Sequence, residues 1–360
     1  MLFKNISKIN WRHWLAPSCG WQRTVYLVVV FALFLFLQAE IYLRAHGYYP
    51  QSVLSRCDSD PLYDWLKLTD HISPRGSVIS KEDPRVLENT NLDTSRRSWS
   101  SEKKDYDSRI LVVGCSQTFG MGVADEQTLV WLLNKHYPRT RFDNFGVKGY
   151  GTYQCWLTMQ YWLEQRHYDG VIYFYIKDHG PRSAKLHLLP APNQKYRLGP
   201  YAEFDILGRL HTHPYYTLDN FASLSSSAYS FLRYYYYLTL YKLDQRNSPQ
   251  QQENKYQQLA TALIQKMQET AQLHKVRFVV FDMDPPKPEP QNIEPGSAIN
   301  IGNYKFQGPE YRVAKQPQNH PNAQVHAYWA QKTIEWIDAH HWLDFKRNAP
   351  RLSAVENSQD

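Results

Sequence analysis

One serine of the sequence stands where a nucleophile could act, directly after a short apolar run. Residues 110–113 read Ile-Leu-Val-Val, and residues 114–120 read Gly-Cys-Ser-Gln-Thr-Phe-Gly, with Ser116 at the centre. Glycine lets the chain turn tightly there, and backbone N–H groups at a following helix start can face a developing negative charge. The segment is not a G-x-S-x-G elbow, because position 118 is Thr, and it is not a phosphate-binding P-loop, because no Lys-Ser/Thr pair follows. Alone, such a serine is also typical of an inert turn.

Three further segments carry residues that a reactive serine requires. Residues 144–152 read Asn-Phe-Gly-Val-Lys-Gly-Tyr-Gly-Thr, residues 177–179 read Lys-Asp-His, and residues 320–322 read His-Pro-Asn. A nucleophile, a loop of backbone donors and a histidine base are the parts needed for acyl transfer. The sequence therefore offers Ser116 as nucleophile and His320 as base, with Asn322 as the cap of a following helix.

These segments must be positioned by alternating strands and helices. Apolar runs predict buried strands at residues 110–113, 141–145, 171–176 and 277–283, and periodic segments predict helices from residue 129 and at 153–165, 256–273 and 323–339. Such alternation is typical of a three-layer α/β/α fold with a parallel sheet. Because the loops after parallel strands meet at one edge, the serine, the glycine-rich loop and the histidine could converge there.

Residues 181–250 interrupt this rhythm and are interpreted as an insertion carrying a helix. It contains the Tyr-rich stretch 231–238, which reads Phe-Leu-Arg-Tyr-Tyr-Tyr-Tyr-Leu. We favour tyrosines that pack the insertion onto the sheet over a sugar-stacking or membrane-facing surface. Residues 247–254 are predicted to be a polar linker, and residues 285–295 a proline-rich loop.

The N-terminus is predicted to be a membrane anchor. Residues 1–24 form a leader with four basic residues and no acid, and residues 25–44 are almost wholly apolar apart from Gln38, Glu40 and the terminal Arg44. This length just reaches a span of about 20 residues, and the basic leader favours an N-in orientation with the rest of the chain in the periplasm or outside. We favour an uncleaved anchor over a cleavable signal peptide, because the leader is long and Leu37 fits a cleavage site poorly. Residues 45–108 are interpreted as a stalk, 109–345 as the catalytic domain and 346–360 as a polar tail.

Composition excludes several classes of protein. With 42% apolar and 15% aromatic residues the chain is not disordered, and the net charge of +7 is concentrated in the leader, so we expect no nucleic-acid partner. No His, Cys, Asp and Glu set has the spacing of a metal site, and we expect no cofactor. Of the four cysteines, Cys19 precedes the anchor and Cys57, Cys115 and Cys155 follow it, so at most one bridge could form beyond the membrane.

Around these residues the sequence resembles the SGNH/GDSL hydrolase family, particularly its membrane-anchored bacterial members, over residues 109–180 and 277–337. That family has four short conserved blocks of sequence. Ser116 and Gly120 match the family's first block, in which Cys115 replaces an Asp. Gly149 matches the oxyanion glycine of the second block. His320 with Pro321, followed by His326, matches the end of the last block. The resemblance implies a serine esterase with an oxyanion site formed by Ser116, Gly149 and the third block, and with Cys115, His179 and His326 lining it.

Two positions depart from that family pattern. The third block places Asp178 where an asparagine amide is expected, and an ionised carboxylate can only accept. Asp178 could be protonated, His179 or Lys177 could donate instead, or the loop register could differ. The last block lacks its acid, since positions 317 and 318 are Pro and Gln. A backbone carbonyl could orient His320 as a dyad, or a distant acid, Asp282 or Asp284, could serve.

We therefore expect a Ser-His ester hydrolase or O-acyltransferase whose substrate is an ester, such as an acetyl ester, of an envelope glycan. The alternatives are a degenerate member of the same fold that binds a glycan or a partner protein, and an assembly protein acting through the anchor and the insertion. The departures at positions 178 and 317 motivate the degenerate member.

Overall fold

The computed structural model describes residues 20–46, 77–79, 87–89, 91, 95–99, 105–184, 200–213, 226–244, 246–286, 298–313 and 320–344. The leader up to residue 19, most of the stalk, the proline-rich loop after residue 286 and the tail 346–360 lie outside these ranges. Cys19, Cys57 and positions 317 and 318 do as well.

The described strands and helices alternate along most of the chain. The strands are β1 Ser77–Ile79, β2 Leu87–Asn89, β3 Ser108–Gly114, β4 Thr140–Gly146, β5 Gly170–Tyr175, β6 Tyr201–Phe204, β7 Leu210–His213, β8 Arg277–Asp282 and β9 Ile299–Asn300. The helices are α1 Gly20–Ala45, α2 Ser116–Phe119, α3 Leu129–His136, α4 Thr152–Gln165, α5 His179–Ser183, α6 Ser227–Asp244, α7 Pro249–Leu273 and α8 Ala323–Ala339.

A parallel sheet forms the centre of the described domain. Its five strands lie in the order β4-β3-β5-β8-β9, and every neighbouring pair is parallel. In sequence order of these strands this is 2-1-3-4-5, the order of a doubly wound sheet. The carboxyl ends of the strands therefore meet at one edge, and the chain reverses its winding direction between β3 and β5.

Both faces of the sheet are covered. Leu111 and Val113 of β3 pack into a core cluster with α4 and α7 on one face, and Ile110 and Val112 pack with α3 and α8 on the other. Because alternate side chains enter opposite cores, the strand is a continuous apolar run. The predicted three-layer α/β/α fold with a parallel sheet is confirmed.

Element boundaries agree closely with the sequence pattern, with one clear exception. The last helix, α8, covers residues 323–339 as predicted, and α3 is capped by Thr128, whose Oγ1 accepts from the N–H of Trp131. Residues 249–254, predicted to be part of a linker, instead form the first turns of α7. Ser248 caps this helix by accepting from the N–H of Gln251, and Pro249 occupies its first position.

Part of the segment before β3 is packed into the domain. Arg96 forms an antiparallel bridge with Asn144 at the outer edge of β4, and its side chain is fully buried. The guanidinium pairs with Asp125 at 2.8 Å, donates to the Val123 carbonyl at 2.9 Å and lies 4.8 Å from the centre of the Phe119 ring. A segment that the sequence analysis assigned to a stalk thus contributes a buried ion pair to the sheet domain, beside β4.

The chain divides into two compact units, Met1–Ser52 with Thr217–Leu240 and Val53–Tyr216 with Tyr241–Asp360. In the first unit, α1 is a continuous helix whose mainly apolar stretch is long enough to cross a membrane. Glu40, near its end, accepts from the N–H groups of Ser227 and Ala228 and from the hydroxyl of Ser226. The carboxylate in the apolar run is thereby satisfied by the start of α6.

Candidate active site

Ser116 lies at the carboxyl end of β3, as the first residue of the short helix α2, and is 6% exposed. Two glycines, Gly114 and Gly146, leave space for this helix. A Cβ on Gly114 would lie 2.0 Å from Oγ1 of Thr118, and one on Gly146 would lie 2.4 Å from the backbone nitrogen of Phe119. Glycine at the ends of β3 and β4 therefore lets the serine-bearing turn rest directly on the sheet edge.

His320 reaches Ser116 from the opposite end of the sequence. Its Nε2 lies 2.6 Å from Oγ of Ser116. The His320 carbonyl accepts from the N–H of Val313, and Pro321 bridges Arg312. Asn322 then caps α8 by accepting from the N–H groups of Gln324 and Val325. The histidine is held between this bridge and the helix start, at a hydrogen-bonding distance that suits proton transfer.

The two distant acids considered as partners of His320 lie at the end of β8. The Asp284 carboxylate accepts from the backbone N–H of Lys177, and its own N–H donates to Oδ1 of Asp282. These bonds fix the loops that follow β5 and β8. The Ser116–His320 dyad and the triad completed by Asp282 or Asp284 therefore both stay predictions.

The glycine-rich loop lies beside the nucleophile. Gly149 is exposed, has φ +83°, and a Cβ there would meet nothing within 4 Å. The loop is tied to β3 by the N–H of Val147, which donates to the Gly114 carbonyl at 3.0 Å. Asn144 donates to the Thr118 carbonyl and accepts from the N–H of Gly146, each at 3.0 Å. One side chain thus couples the loop to the serine-bearing helix.

Asp178 and His179, which follow β5, face different surroundings. The Asp178 side chain is 57% exposed and pairs with Arg182 at 3.4 Å. His179 is fully buried, its Nδ1 lies 2.7 Å from the hydroxyl of Tyr173, and burial holds its pKa well below the usual value. The expectation that His179 lines the site is not met, because the chain enters α5 at this residue and turns the ring inward against β5.

Cys115 and His326 lie under the site rather than on its surface. Cys115 is fully buried, and burial raises the pKa of its thiol although the charge of Arg182 partly opposes this. His326 is fully buried on α8, and its Nδ1 accepts from the N–H of Leu129 at 3.2 Å. Burial, with smaller contributions from His320 and Arg96, lowers the pKa of His326 to about 3. It is a neutral packing residue that joins α8 to the start of α3.

Sequence reasoning did not single out Asn144 or Arg182. Asn144 was visible only as the first residue of the loop segment, and its coupling role depends on a parallel pair of strands. Arg182 lies four residues after Asp178, a spacing that places both side chains on one face of a helix. Within the described ranges, no group of three His, Cys, Asp or Glu side chains could hold a metal ion.

Comparisons with known proteins found similar chains among solved structures only. No protein-family model and no curated protein matches the sequence. The psychrotrophic esterase EstA from Pseudoalteromonas sp. is similar in structure at a TM-score of 0.34 and 14% identity, over 66% of this chain and 99% of that one. A member of the lipolytic protein G-D-S-L family from Veillonella parvula has a TM-score of 0.28 and 11% identity, over 63% and 96%. At these values we draw no functional conclusion from either likeness, and what the chain itself provides is a parallel α/β sheet with a serine–histidine pair at its carboxyl edge.

Proposed function

We propose that this chain is a serine-dependent ester hydrolase or O-acyltransferase. The observation that carries the proposal is the 2.6 Å separation of Ser116 Oγ and His320 Nε2 at the carboxyl edge of the sheet. The two residues are 204 positions apart, so the fold itself brings them together. A serine in hydrogen-bonding reach of a histidine base is the pairing that activates a hydroxyl for acyl transfer.

The reaction would proceed in two steps. The Oγ of Ser116 attacks the ester carbonyl carbon while its proton passes to Nε2 of His320, and the carbonyl electron pair moves to oxygen. The backbone N–H groups of Ser116 and Gly149 face that oxyanion. The intermediate then expels the alcohol, which takes the proton from His320. Water, activated by the same histidine, releases the acyl group, or a sugar hydroxyl accepts it.

The apolar α1 supports a membrane-bound form of this enzyme. Its basic flank at the N-terminal side favours a single pass with the N-terminus in the cytoplasm and the sheet domain outside it. An enzyme held there would meet esters of envelope polymers, and an acetylated glycan is the substrate class we propose.

The test is labelling of the detergent-purified full chain by a fluorophosphonate probe, beside Ser116→Ala and His320→Ala. We expect labelling of the wild type, none of Ser116→Ala, and a loss of at least about 100-fold in rate for His320→Ala, the usual contribution of general base catalysis. Ser226→Ala serves as a matched control, because that hydroxyl belongs to the Glu40 contacts of the other unit.

A folded wild-type protein that the fluorophosphonate probe does not label would refute the proposed enzymatic function. Binding assays with glycans and with membrane extracts would then decide between the two non-catalytic alternatives.

A further inference from the structure

The oxyanion site of this chain lacks one of the donors that its resemblance implies. Asp178 stands at the position of the expected asparagine amide, and its carboxylate is 57% exposed and paired with a cation. An ionised carboxylate has no hydrogen to donate, and its charge opposes an oxyanion nearby. A site with this residue alone would destabilise the transition state that it needs to bind.

Arg182 is a cation that bonds to two parts of this site. Its Nη2 lies 3.4 Å from Oδ2 of Asp178, and its Nη1 donates to the carbonyl of Tyr150, next to Gly149, at 3.5 Å. Burial raises the pKa of the Cys115 thiol, next to the nucleophile, and the charge of the Arg182 guanidinium opposes that rise. One side chain thus bonds to Asp178 and to the glycine-rich loop, and its charge acts on the residue before Ser116.

Resting on the proposed function, we propose that the Arg182 guanidinium takes the place of the missing amide and donates to the oxyanion formed when Ser116 attacks an ester. The side chain is 21% exposed, so it is partly withdrawn from water. Both of its bonds to oxygen are long, and a guanidinium has five N–H donors.

The charges balance in this arrangement. Asp178 and Arg182 together carry no net charge in the resting site, so the carboxylate no longer opposes the reaction. As the carbonyl oxygen becomes negative, the guanidinium can shift its donors from these long bonds to the stronger acceptor, since charge-assisted bonds are shorter and stronger. Asp178 then orients Arg182, and it does not itself bind the oxyanion.

The experiment measures p-nitrophenyl acetate hydrolysis and fluorophosphonate labelling for Arg182→Gln in the full-length protein. We expect kcat and the labelling rate to fall about 100-fold, the usual cost of one oxyanion donor, with KM changed less than about threefold. The double variant Asp178→Asn/Arg182→Gln restores the amide, and we expect it to recover at least tenfold of the loss. Arg139→Gln, which removes an exposed arginine paired with Asp107, is the matched control and should leave both rates unchanged.

The outcomes separate this inference from the proposed function. Wild-type protein without activity or labelling refutes the proposed function. An active wild type with unaffected Arg182→Gln overturns the role of Arg182 alone. Recovery by Asp178→Asn would support the role, because an amide four residues away can replace a lost donor but not a merely structural arginine. A loss that Asp178→Asn does not recover therefore overturns the role of Arg182. Should Arg182→Gln fail to fold, Arg182→Lys is measured under the same criterion of reduced kcat at constant KM.

Discussion

At the scale of single residues, the site depends on groups that stay neutral because they are buried. His326 joins the first turn of α8, which follows His320, to the start of α3, and it can do so only while its Nδ1 accepts the N–H of Leu129. A proton on that nitrogen would remove the acceptor and place a charge in the core. The contact that supports the start of α8, next to His320, is therefore sensitive to acid.

We expect the free energy of unfolding to fall as pH is lowered from 7 to 5. The pKa of His326 is lowered to about 3 and that of His179 lies well below its usual value, whereas both rise to about 6.5 in the unfolded chain. Within this window the unfolded state binds more protons, so acid favours it. His326 alone contributes about 2 kcal/mol between pH 6.5 and 5. Denaturant unfolding in detergent at several pH values measures this slope.

The matched variant is His326→Asn, whose Oδ1 can accept from Leu129 but cannot titrate. Its stability at pH 7 should be lower, because the smaller side chain leaves space, and its pH slope should be clearly shallower. A slope equal to that of the wild type would show that His326 is not the group responsible.

At the scale of helices and strands, the parts readable from the sequence were those whose pattern records burial. Residues 110–113 are buried on both sides, so β3 was visible as an apolar run, and the stripe of α8 was visible because one face packs on the sheet. The two-residue strand β9 and the hairpin of β6 and β7 carry no such pattern. The first turns of α7 were missed because their side chains are largely exposed, although Ser248 and Pro249 signalled a helix start.

The same reasoning applies to the site. Strand order brings the ends of β3 and β4 together in any doubly wound sheet, so the meeting of Ser116 with the glycine-rich loop was predictable. The inward turn of His179 was not, because it depends on where the one-turn helix α5 begins. The reach of Arg182 towards Cys115 was hidden for the same reason.

We expect Gly146→Ala to lower Ser116 reactivity by at least about tenfold per folded molecule. The new Cβ would meet backbone atoms of Thr118 and Phe119 within 3 Å, so α2 must move away from the end of β4. Such overpacking costs about 1–3 kcal/mol of stability. Fluorophosphonate labelling normalised to the folded fraction measures the effect on the site.

Gly208→Ala is the control for this substitution. Gly208 has φ +74°, so alanine there is strained by about 1–2 kcal/mol, but no atom lies within 4 Å of its Cβ. It should lose stability and keep its labelling rate. Equal labelling by the two variants would mean that the contact between α2 and β4 does not position the serine.

At the scale of the whole molecule, we expect α1 to remain attached as an anchor. A tag placed before residue 1 should stay on the mature protein, which should resist carbonate extraction from membranes. In intact spheroplasts an added protease should digest the sheet domain but not the tag, because the basic leader holds the N-terminus inside. Immunoblots for the tag and for the sheet domain, on carbonate-extracted membranes and on protease-treated spheroplasts, measure these results.

The variant Leu33→Arg/Leu35→Arg tests the span itself. Each arginine at the centre of a membrane helix costs about 2.5–3.5 kcal/mol, so the protein should become extractable. Leu207→Arg, at an exposed hairpin turn, should remain bound. Loss of the tag would identify a signal peptide instead, and digestion of the tag would reverse the orientation.

The buried position of Arg96 also sets where the chain can be cut without breaking the packing of the sheet domain. A cut in the chain before residue 87 would release the domain with Arg96 still under Phe119 and paired with Asp125. A cut just after Ser98 would strip the guanidinium from the core and leave the Asp125 carboxylate without its fully buried partner. Breaking a buried pair in this way costs about 3–5 kcal/mol. For the anchored enzyme proposed above, a protease that cuts before residue 87 would release active protein, and one that cuts just after Ser98 would inactivate it.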